Sequence, residues 1–341
     1  MYAYEKKINR LFNYWLFISF ILVFLIIIIG GLTRLTDSGL SITEWELFSG
    51  LLPPLNQNSW IFYFEEYKKI PQFKLLNNDM TLQEFKIIFY WEYLHRILAR
   101  LIGLFFLIPL IFFYISKKIN RTYLNNCWII FFLIIFQGCI GWYMVKSGLV
   151  NDVTVSHYRL SIHLSIAFVI ISSIFWIFKN FNSRKIKIFF IFSFDNLPFQ
   201  LLILLLFIQI IFGAFVSGLD AGKIYQTWPL MGDSFYPDDQ LENYSKIFFN
   251  FNDRSMVQFY HRILAYIVVI YSLFLAIYIY NNKLLNLYKP LKILILFLLL
   301  QVILGIFTLI SGLNIYLASM HQITSVLLVL SALNMYYYRV K

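Results

Sequence analysis

The sequence predicts an all-α integral membrane protein whose eight transmembrane helices form two tandem four-helix bundles, related by a pseudo-two-fold axis along the membrane normal. Its composition and an internal repeat carry this prediction. Hydrophobic residues make up 60% of the 341 positions, and charged residues only 13%. Because a helix needs about 20 apolar residues to span a bilayer, the apolar part of the chain is long enough for eight spans and their loops.

The helices follow from the apolar stretches, which polar segments separate. Two long polar segments, at residues 33–87 and 219–255, are predicted as loops on one side of the membrane. The helices are predicted at residues 13–32, 88–114, 125–146, 156–179, 197–218, 256–281, 290–312 and 315–338.

The net charge of +11 is distributed in short basic runs between apolar stretches, rather than over a nucleic-acid-binding surface. Loops rich in lysine and arginine remain on the cytoplasmic side of a membrane. We therefore expect a bacterial inner-membrane protein with both termini in the cytoplasm, the long loops opposite, and no nucleic-acid partner. The runs are Lys6, Lys7 and Arg10; Lys117, Lys118 and Arg121; Lys179, Arg184, Lys185 and Lys187; Lys283, Lys289 and Lys292; and Arg339 and Lys341.

The second half of the chain repeats the first, which divides it into residues 1–190 and 191–341. The five residues from His95 to Ala99 are identical to those from His261 to Ala265. Each copy would cross the membrane an even number of times, so both copies have the same orientation. A Gln-x-x-x-Gly pattern recurs at Gln137–Gly141, Gln209–Gly213 and Gln301–Gly305.

Four of the five histidines fall at matched places in this repeat: His95, His163, His261 and His321. One intramembrane histidine is explained as well by a hydrogen bond to a neighbouring helix, but two symmetric pairs are not, because ionisable groups in a membrane are costly. Paired histidines on facing helices hold heme iron from both sides. The sequence predicts the pairs His95/His163 and His261/His321. His157 has no repeat partner and is expected at the membrane surface.

Arginines near these histidines are candidates for binding heme propionates. Arg96 and Arg262 directly follow two of the histidines, and Arg159 lies one turn before His163. A propionate or Glu92 would each suit a guanidinium. Simple snorkelling to the membrane surface is the alternative for all three arginines.

Glu92 is the clearest difference between the two halves. It lies one turn before His95 on the same helical face, whereas the matching residue before His261 is Gln258. Glu92 either pairs with a neighbouring arginine or acts beside the heme edge, where a carboxylate can stabilise positive charge or accept a proton. The second interpretation makes the N-terminal half the reactive one and gives the C-terminal half an electron-transfer or structural heme.

Two further features concern the surroundings of these sites. Trp45 and Trp228 lie in long loops rich in proline and glycine, which suit ordered lids over the sites, although interfacial anchoring explains the tryptophans equally well. Small-residue faces at Gly30, Gly31 and Gly213 favour close helix packing. The oligomeric state stays open, with a homo-oligomer among the alternatives.

Together these features resemble the heme A synthase family over essentially the whole chain. Cys127 and Cys139 lie in one apolar segment, so the chain is similar to the subgroup without cysteine pairs in the outer loops, typical of mitochondria and related bacteria. The motifs that carry the resemblance are Gly30 to Ser41, Glu92-x-x-His95-Arg96, Tyr158-Arg159-Leu160-x-x-His163, Asp220-Ala221-Gly222, His261-Arg262 and His321-Gln322.

The resemblance implies a reaction and a set of roles. The family oxidises the C8 methyl group of heme o to a formyl group by successive hydroxylations, which gives heme a for cytochrome oxidase. His95, His163, Arg96 and Arg159 would bind the substrate heme, with Glu92 catalytic. His261, His321 and Arg262 would bind a heme b cofactor. The implied partners are heme o, an electron acceptor or donor, heme o synthase and cytochrome oxidase assembly factors.

Two other functions fit part of the pattern. A di-heme b-type electron-transfer cytochrome explains the four histidines but not the contrast between Glu92 and Gln258. A heme carrier or chaperone for oxidase assembly explains an outward-facing pocket but not two fixed pairs. Only the synthase would contain heme o or heme a.

Overall fold

A computed structural model describes residues 2–44, 49–151, 153–240 and 249–340. In this part of the chain the regular structure is helical, and eight helices are long and apolar enough to cross a membrane. This confirms the predicted fold class of a multi-pass α-helical membrane protein. The helices are α1 (Tyr2–Leu35), α2 (Gln57–Lys68), α3 (Pro71–Leu76), α4 (Leu82–Ser116), α5 (Arg121–Asn151), α6 (His157–Ser183), α7 (Leu197–Gly218), α8 (Arg254–Asn281), α9 (Tyr288–Ile310) and α10 (Ile315–Arg339).

Several helices extend beyond their apolar stretches. Helix α4 begins at Leu82 because Thr81 and Glu84 form a capping box: the Thr81 hydroxyl accepts from the Glu84 N–H, and the Glu84 carboxylate accepts from the Thr81 N–H at 2.8 Å. A capping box satisfies two backbone donors that the first turn otherwise leaves unpaired. His95 therefore lies nearly four turns inside its helix, rather than about two turns inside, as the apolar stretch from residue 88 predicted.

The first long loop contains two short helices that the sequence did not predict. In α2, Trp60, Phe64 and Tyr67 lie on one face and pack in a buried cluster with Phe85 and Phe89 of α4. The spacing of these three aromatic residues is that of an amphipathic helix, so the signal was present. Trp45 lies outside the described residues.

A buried tyrosine connects the two short helices. The Tyr67 hydroxyl is fully buried, donates to Oε1 of Gln72 at 3.0 Å and accepts from Nδ2 of Asn77 at 2.8 Å. Gln72 in turn donates to the Asp37 carbonyl at 3.1 Å. Burial raises the pKa of Tyr67, so the phenol keeps the proton that this network uses.

The described residues divide into two compact units, Met1–Phe181 and Asn182–Lys341. The division falls at the end of α6, a few residues before the predicted boundary at 190. In the first unit α4 packs against α1 and α5, and in the second α7 packs against α8 and α9 against α10.

Basic residues gather at one end of each unit. In the first unit Lys118, after α4, lies 3.1 Å from the carboxylate of Glu5 in the first turn of α1. In the second unit Arg339, at the end of α10, lies 3.0 Å from Asp195, just before α7. The ring centres of Phe12 in α1 and Phe181 in α6 also lie 4.9 Å apart. Each unit therefore begins and ends at the same end, as an even number of crossings requires.

Tyr67→Phe should lower the melting temperature of the purified protein by a few degrees. The change leaves the buried Gln72 and the half-buried Asn77 without their shared partner, which costs about 1–3 kcal/mol. Such a loss shifts the midpoint by a few degrees in a protein of this size. Tyr90→Phe is the matched control, because the Tyr90 side chain is 46% exposed. Equal melting temperatures for the two variants would contradict the network's structural role.

Candidate heme sites

His95 on α4 and His163 on α6 face each other in the first unit. Their ring centroids lie 6.4 Å apart with an interplanar angle of 60°. Two imidazoles on opposite sides of one iron have ring centres about 6 Å apart, because metal–nitrogen distances are about 2 Å. Both Nδ1 atoms are buried without a hydrogen-bond partner. The two rings therefore have the separation that binding one metal ion between them requires, and each ring has a nitrogen without a hydrogen-bond partner.

Each of these rings packs against a glycine of the preceding transmembrane helix. A Cβ atom built on Gly30 of α1 would lie 3.0 Å from Cε1 of His95, and one on Gly141 of α5 would lie 3.0 Å from Cε1 of His163. Real Cβ atoms essentially never approach more closely than this. The two glycines thus create the space in which the histidine rings lie.

The second unit repeats this packing. A Cβ atom on Gly213 of α7 would lie 3.2 Å from Cε1 of His261 on α8, and one on Gly305 of α9 would lie 2.9 Å from Cε1 of His321 on α10. Nδ1 of His321 lies 3.1 Å from the backbone oxygen of Gln301. A histidine whose Nδ1–H donates to a carbonyl presents Nε2 to a metal, so His321 has the tautomer that iron binding needs.

The described residues contain no group of three or more histidine, cysteine, aspartate or glutamate side chains that could hold a metal ion. Histidine pairs alone leave most coordination positions of a metal open. They suit an iron whose remaining ligands come from a macrocycle, and a heme in a helix bundle is such a case. The residues present therefore fit heme.

Glu92 is buried, with 3% of its surface exposed, and both of its oxygens are bound. Oε1 accepts from Nη2 of Arg96 at 2.6 Å and from Nε at 3.0 Å. Oε2 accepts from the Ser41 hydroxyl at 2.8 Å and the Ile42 N–H at 2.9 Å. Arg96 also donates to the Ile42 carbonyl at 2.9 Å. The pairing with Arg96 that the sequence allowed is present, and with it a clamp on the outer loop that the sequence did not predict.

The second unit has the same clamp without the carboxylate. Nε2 of Gln258 donates to the Tyr225 carbonyl at 2.8 Å, and Nη2 of Arg262 donates to the same oxygen at 3.1 Å. In both units, therefore, backbone atoms of the outer loop are bound by two side chains. One is the arginine that directly follows the first histidine, and the other lies one turn before this histidine. Only the first unit has an ionisable group in this position.

The remaining candidates are Arg159 and His157. Arg159 donates to the hydroxyl of Ser147, and its guanidinium lies 4.7 Å from the ring centre of Tyr143, so both contacts are with α5. His157 is the first residue of α6, and its side chain is buried. Neither contact of Arg159 involves a carboxylate. The binding of propionates by Arg96, Arg159 and Arg262 stays a prediction.

Two of the glycines expected to allow close helix packing lie beside histidines. Gly30 and Gly213 face histidine rings within their own units. These two glycines therefore pack helices closely inside each unit, and a homo-oligomer stays a prediction.

Gly141→Ala should reduce the heme absorbance per protein and the melting temperature, because the new methyl group would collide with the His163 ring. Gly138→Ala is the matched control on the same helix, since a Cβ atom there meets nothing within 4 Å. In a helix this control change is neutral or stabilising by about 0.5–1 kcal/mol. Equal heme contents in the two variants would contradict the close packing of His163 on Gly141.

Comparison with known proteins gives the family. A family model described as "cytochrome oxidase assembly protein", COX15-CtaA, matches residues 13–333. A heme A synthase of Pelagibacter ubique is 48% identical over 337 residues, 97% of each chain. A heme A synthase of Rickettsia prowazekii is 40% identical over 94% of this chain and 95% of its own, and one of Flavobacterium johnsoniae is 38% identical over 93% and 94%. Since the match extends over nearly the whole sequence, as the motifs predicted, this chain belongs to the COX15-CtaA family of cytochrome oxidase assembly proteins.

Proposed function

We propose that the protein is a heme A synthase that oxidises the C8 methyl group of heme o to a formyl group. The observation that carries the proposal is a buried carboxylate one turn from a histidine of a facing pair, in a chain 48% identical to a heme A synthase. A plain electron-transfer cytochrome or a heme carrier would need the histidines but has no use for this carboxylate.

The two units have different roles in this proposal. His95 and His163 bind the substrate heme in the N-terminal half, residues 1–190. His261 and His321 bind heme b in the C-terminal half, residues 191–341. The assignment rests on the contrast between Glu92 and Gln258, because only the first can carry charge. Arg96 and Arg159 are the propionate ligands proposed for the first site, and Arg262 for the second.

The reaction removes four electrons from the methyl carbon in two steps. With an acceptor taking the electrons, each hydroxylation consumes one water molecule, releases two electrons and two protons, and replaces one C–H bond by C–OH. The resulting geminal diol loses water to give the formyl group. An electron acceptor takes the electrons, and heme b, when bound, supplies electron transfer. Heme o synthase would supply the substrate, and oxidase assembly would consume the product.

Glu92 is the catalytic residue of this proposal. Fixed charges stabilise a transition state best when they are oriented before the reaction begins. The Glu92 carboxylate meets this condition, since the guanidinium of Arg96 holds one oxygen and Ser41 and Ile42 hold the other. It would stabilise positive charge that develops on the methyl carbon.

The same proposal places the protein in the bacterial inner membrane with both termini in the cytoplasm. Its support is the basic character of the end where α1 begins and α4 ends, and of the end where α7 begins and α10 ends.

Glu92→Gln should abolish most heme a formation while both hemes remain bound. Glutamine keeps the size of the side chain and can still accept from the loop, but it lacks the charge. We expect a loss on the order of 100-fold, typical of removing one preorganised electrostatic group. Chromatography of hemes extracted from cells that make heme o measures it, with heme o accumulating.

The matched control is Glu84→Gln, which removes an exposed carboxylate from the same helix and should leave heme a unchanged. Normal heme a in Glu92→Gln would show that the side chain only clamps the loop, as Gln258 does in the second unit.

Cysteine labelling tests the orientation. In a variant without Cys127 and Cys139, a cysteine replacing exposed Asp79 in the first long loop should react with an impermeant maleimide in intact spheroplasts. A cysteine replacing exposed Lys185 should react only after lysis. The reverse pattern would overturn the proposed orientation.

A further inference from the structure

Three glutamines of the Gln-x-x-x-Gly pattern contact the histidine that their helix faces. Nε2 of Gln137 donates to the backbone carbonyl of His163 at 2.9 Å. The Gln209 amide donates to the His261 carbonyl at 3.0 Å, and it lies 3.2 Å from Nδ1 of the ring. Each glutamine lies one turn before the glycine on which that histidine packs. One helix face therefore supplies both the space for a ring and an amide group beside the same histidine.

The third glutamine makes a similar contact by another geometry. Nε2 of Gln301 lies 3.3 Å from Nε2 of His321, while the Gln301 backbone oxygen lies 3.1 Å from Nδ1 of the same ring. The side-chain oxygens of Gln137, Gln209 and Gln301 are all buried without a hydrogen-bond partner. Buried amide oxygens normally accept a hydrogen bond. Each of these three side chains therefore has an unused acceptor beside a histidine that could bind heme iron.

The fourth histidine has no such neighbour. His95 packs on Gly30, and the residue one turn before Gly30 is Ile26. In the repeat, Ile26 corresponds to Gln209, because each precedes the glycine that supports the first histidine of its half. Nδ1 of His163 is also buried without a hydrogen-bond partner, but Gln137 places an amide beside that histidine, whereas Nδ1 of His95 has no partner and no amide beside it. An isoleucine side chain cannot supply one.

A histidine that binds metal through one ring nitrogen usually donates its other N–H to an acceptor, which fixes the ring and strengthens the bond to the metal. The difference between Ile26 and Gln209 therefore affects how firmly each unit holds its heme. A substrate heme must enter and leave in every turnover, whereas a cofactor heme stays. Helix α1 has isoleucine at this position and helix α7 has glutamine. This difference agrees with an exchanging substrate heme in the first unit and a resident cofactor heme in the second.

We infer that Gln137, Gln209 and Gln301 are positioning residues for three of the histidines that would hold the hemes. We also infer that Ile26 leaves His95 the more weakly held of the two ligands in the first unit, so that its bond to the substrate heme would open before that of His163. This inference rests on the proposed function, since it requires that the four histidines bind two hemes. It adds which of the two histidines in the first unit would release the substrate heme first and which side chain decides this order.

The test exchanges the two residues, as Ile26→Gln in the first unit and Gln209→Ile in the second. Purified holoprotein is mixed with excess apomyoglobin, and the heme left on the protein is extracted and separated over time. Heme o or heme a reports the first site, and heme b the second. In the unchanged protein the first site should lose heme faster.

Ile26→Gln should slow loss of heme o about tenfold, and Gln209→Ile should speed loss of heme b by a similar factor, the scale on which such neighbours change metal affinity. Gln137→Leu should speed loss of heme o through the His163 bond. Gln200→Leu is the matched control, because Gln200 is on α7 but donates to Tyr336 and not to a histidine.

Rates unchanged in Ile26→Gln, Gln209→Ile and Gln137→Leu, with the low-spin spectrum of two histidine-ligated hemes intact, would overturn the inference and leave the proposed function standing. An unchanged protein that binds neither heme o nor heme a would overturn the proposed function and the inference with it. Because two variants remove a glutamine and one adds it, poor folding of one variant does not decide the outcome.

Discussion

The close approach of a histidine ring to a glycine backbone is the contact on which each unit depends. An imidazole in an apolar bundle needs both space and a partner for its polar atoms. At all four positions a glycine on the preceding transmembrane helix supplies the space, and any larger residue would meet the ring. The glycines therefore determine how closely the helices approach each other, and the histidines determine which ligand can bind between the helices.

The two units use this frame with a small number of chemical differences. Glu92 stands where the second unit has Gln258, and Ile26 stands where it has Gln209. One difference adds a charge beside the first histidine of the N-terminal half, and the other removes a hydrogen-bonding group from it. Both therefore change the surroundings of His95, while the clamp on the outer loop is kept in both units. A duplicated heme-binding unit can acquire a reaction in this way without a new fold.

The sequence predicted the eight membrane-spanning helices and the family, because apolar length can be read along the chain and the motifs lie in short segments. It also predicted that His95 and His163 face each other, because the repeat places both at matched positions. The contact of Gln137 with His163 was not predicted, although the pattern was visible, since it depends on how two helices are rotated about their axes. The clamp on Ser41 and Ile42 was missed for a similar reason: Glu92 meets them across a long loop. Helix α2 was not predicted because its three regularly spaced aromatic residues lie in a segment whose composition predicts a polar loop.

The account's central claim is that each unit holds one heme between two histidines. The most direct test is to count hemes per chain by the pyridine hemochrome method and to read the iron ligands by electron paramagnetic resonance and near-infrared magnetic circular dichroism, in holoprotein purified from cells that make heme o. The account predicts two hemes per chain, both low-spin with two histidine ligands, and loss of only one of them in His261→Ala. One heme per chain, or iron ligands other than paired histidines, would contradict it.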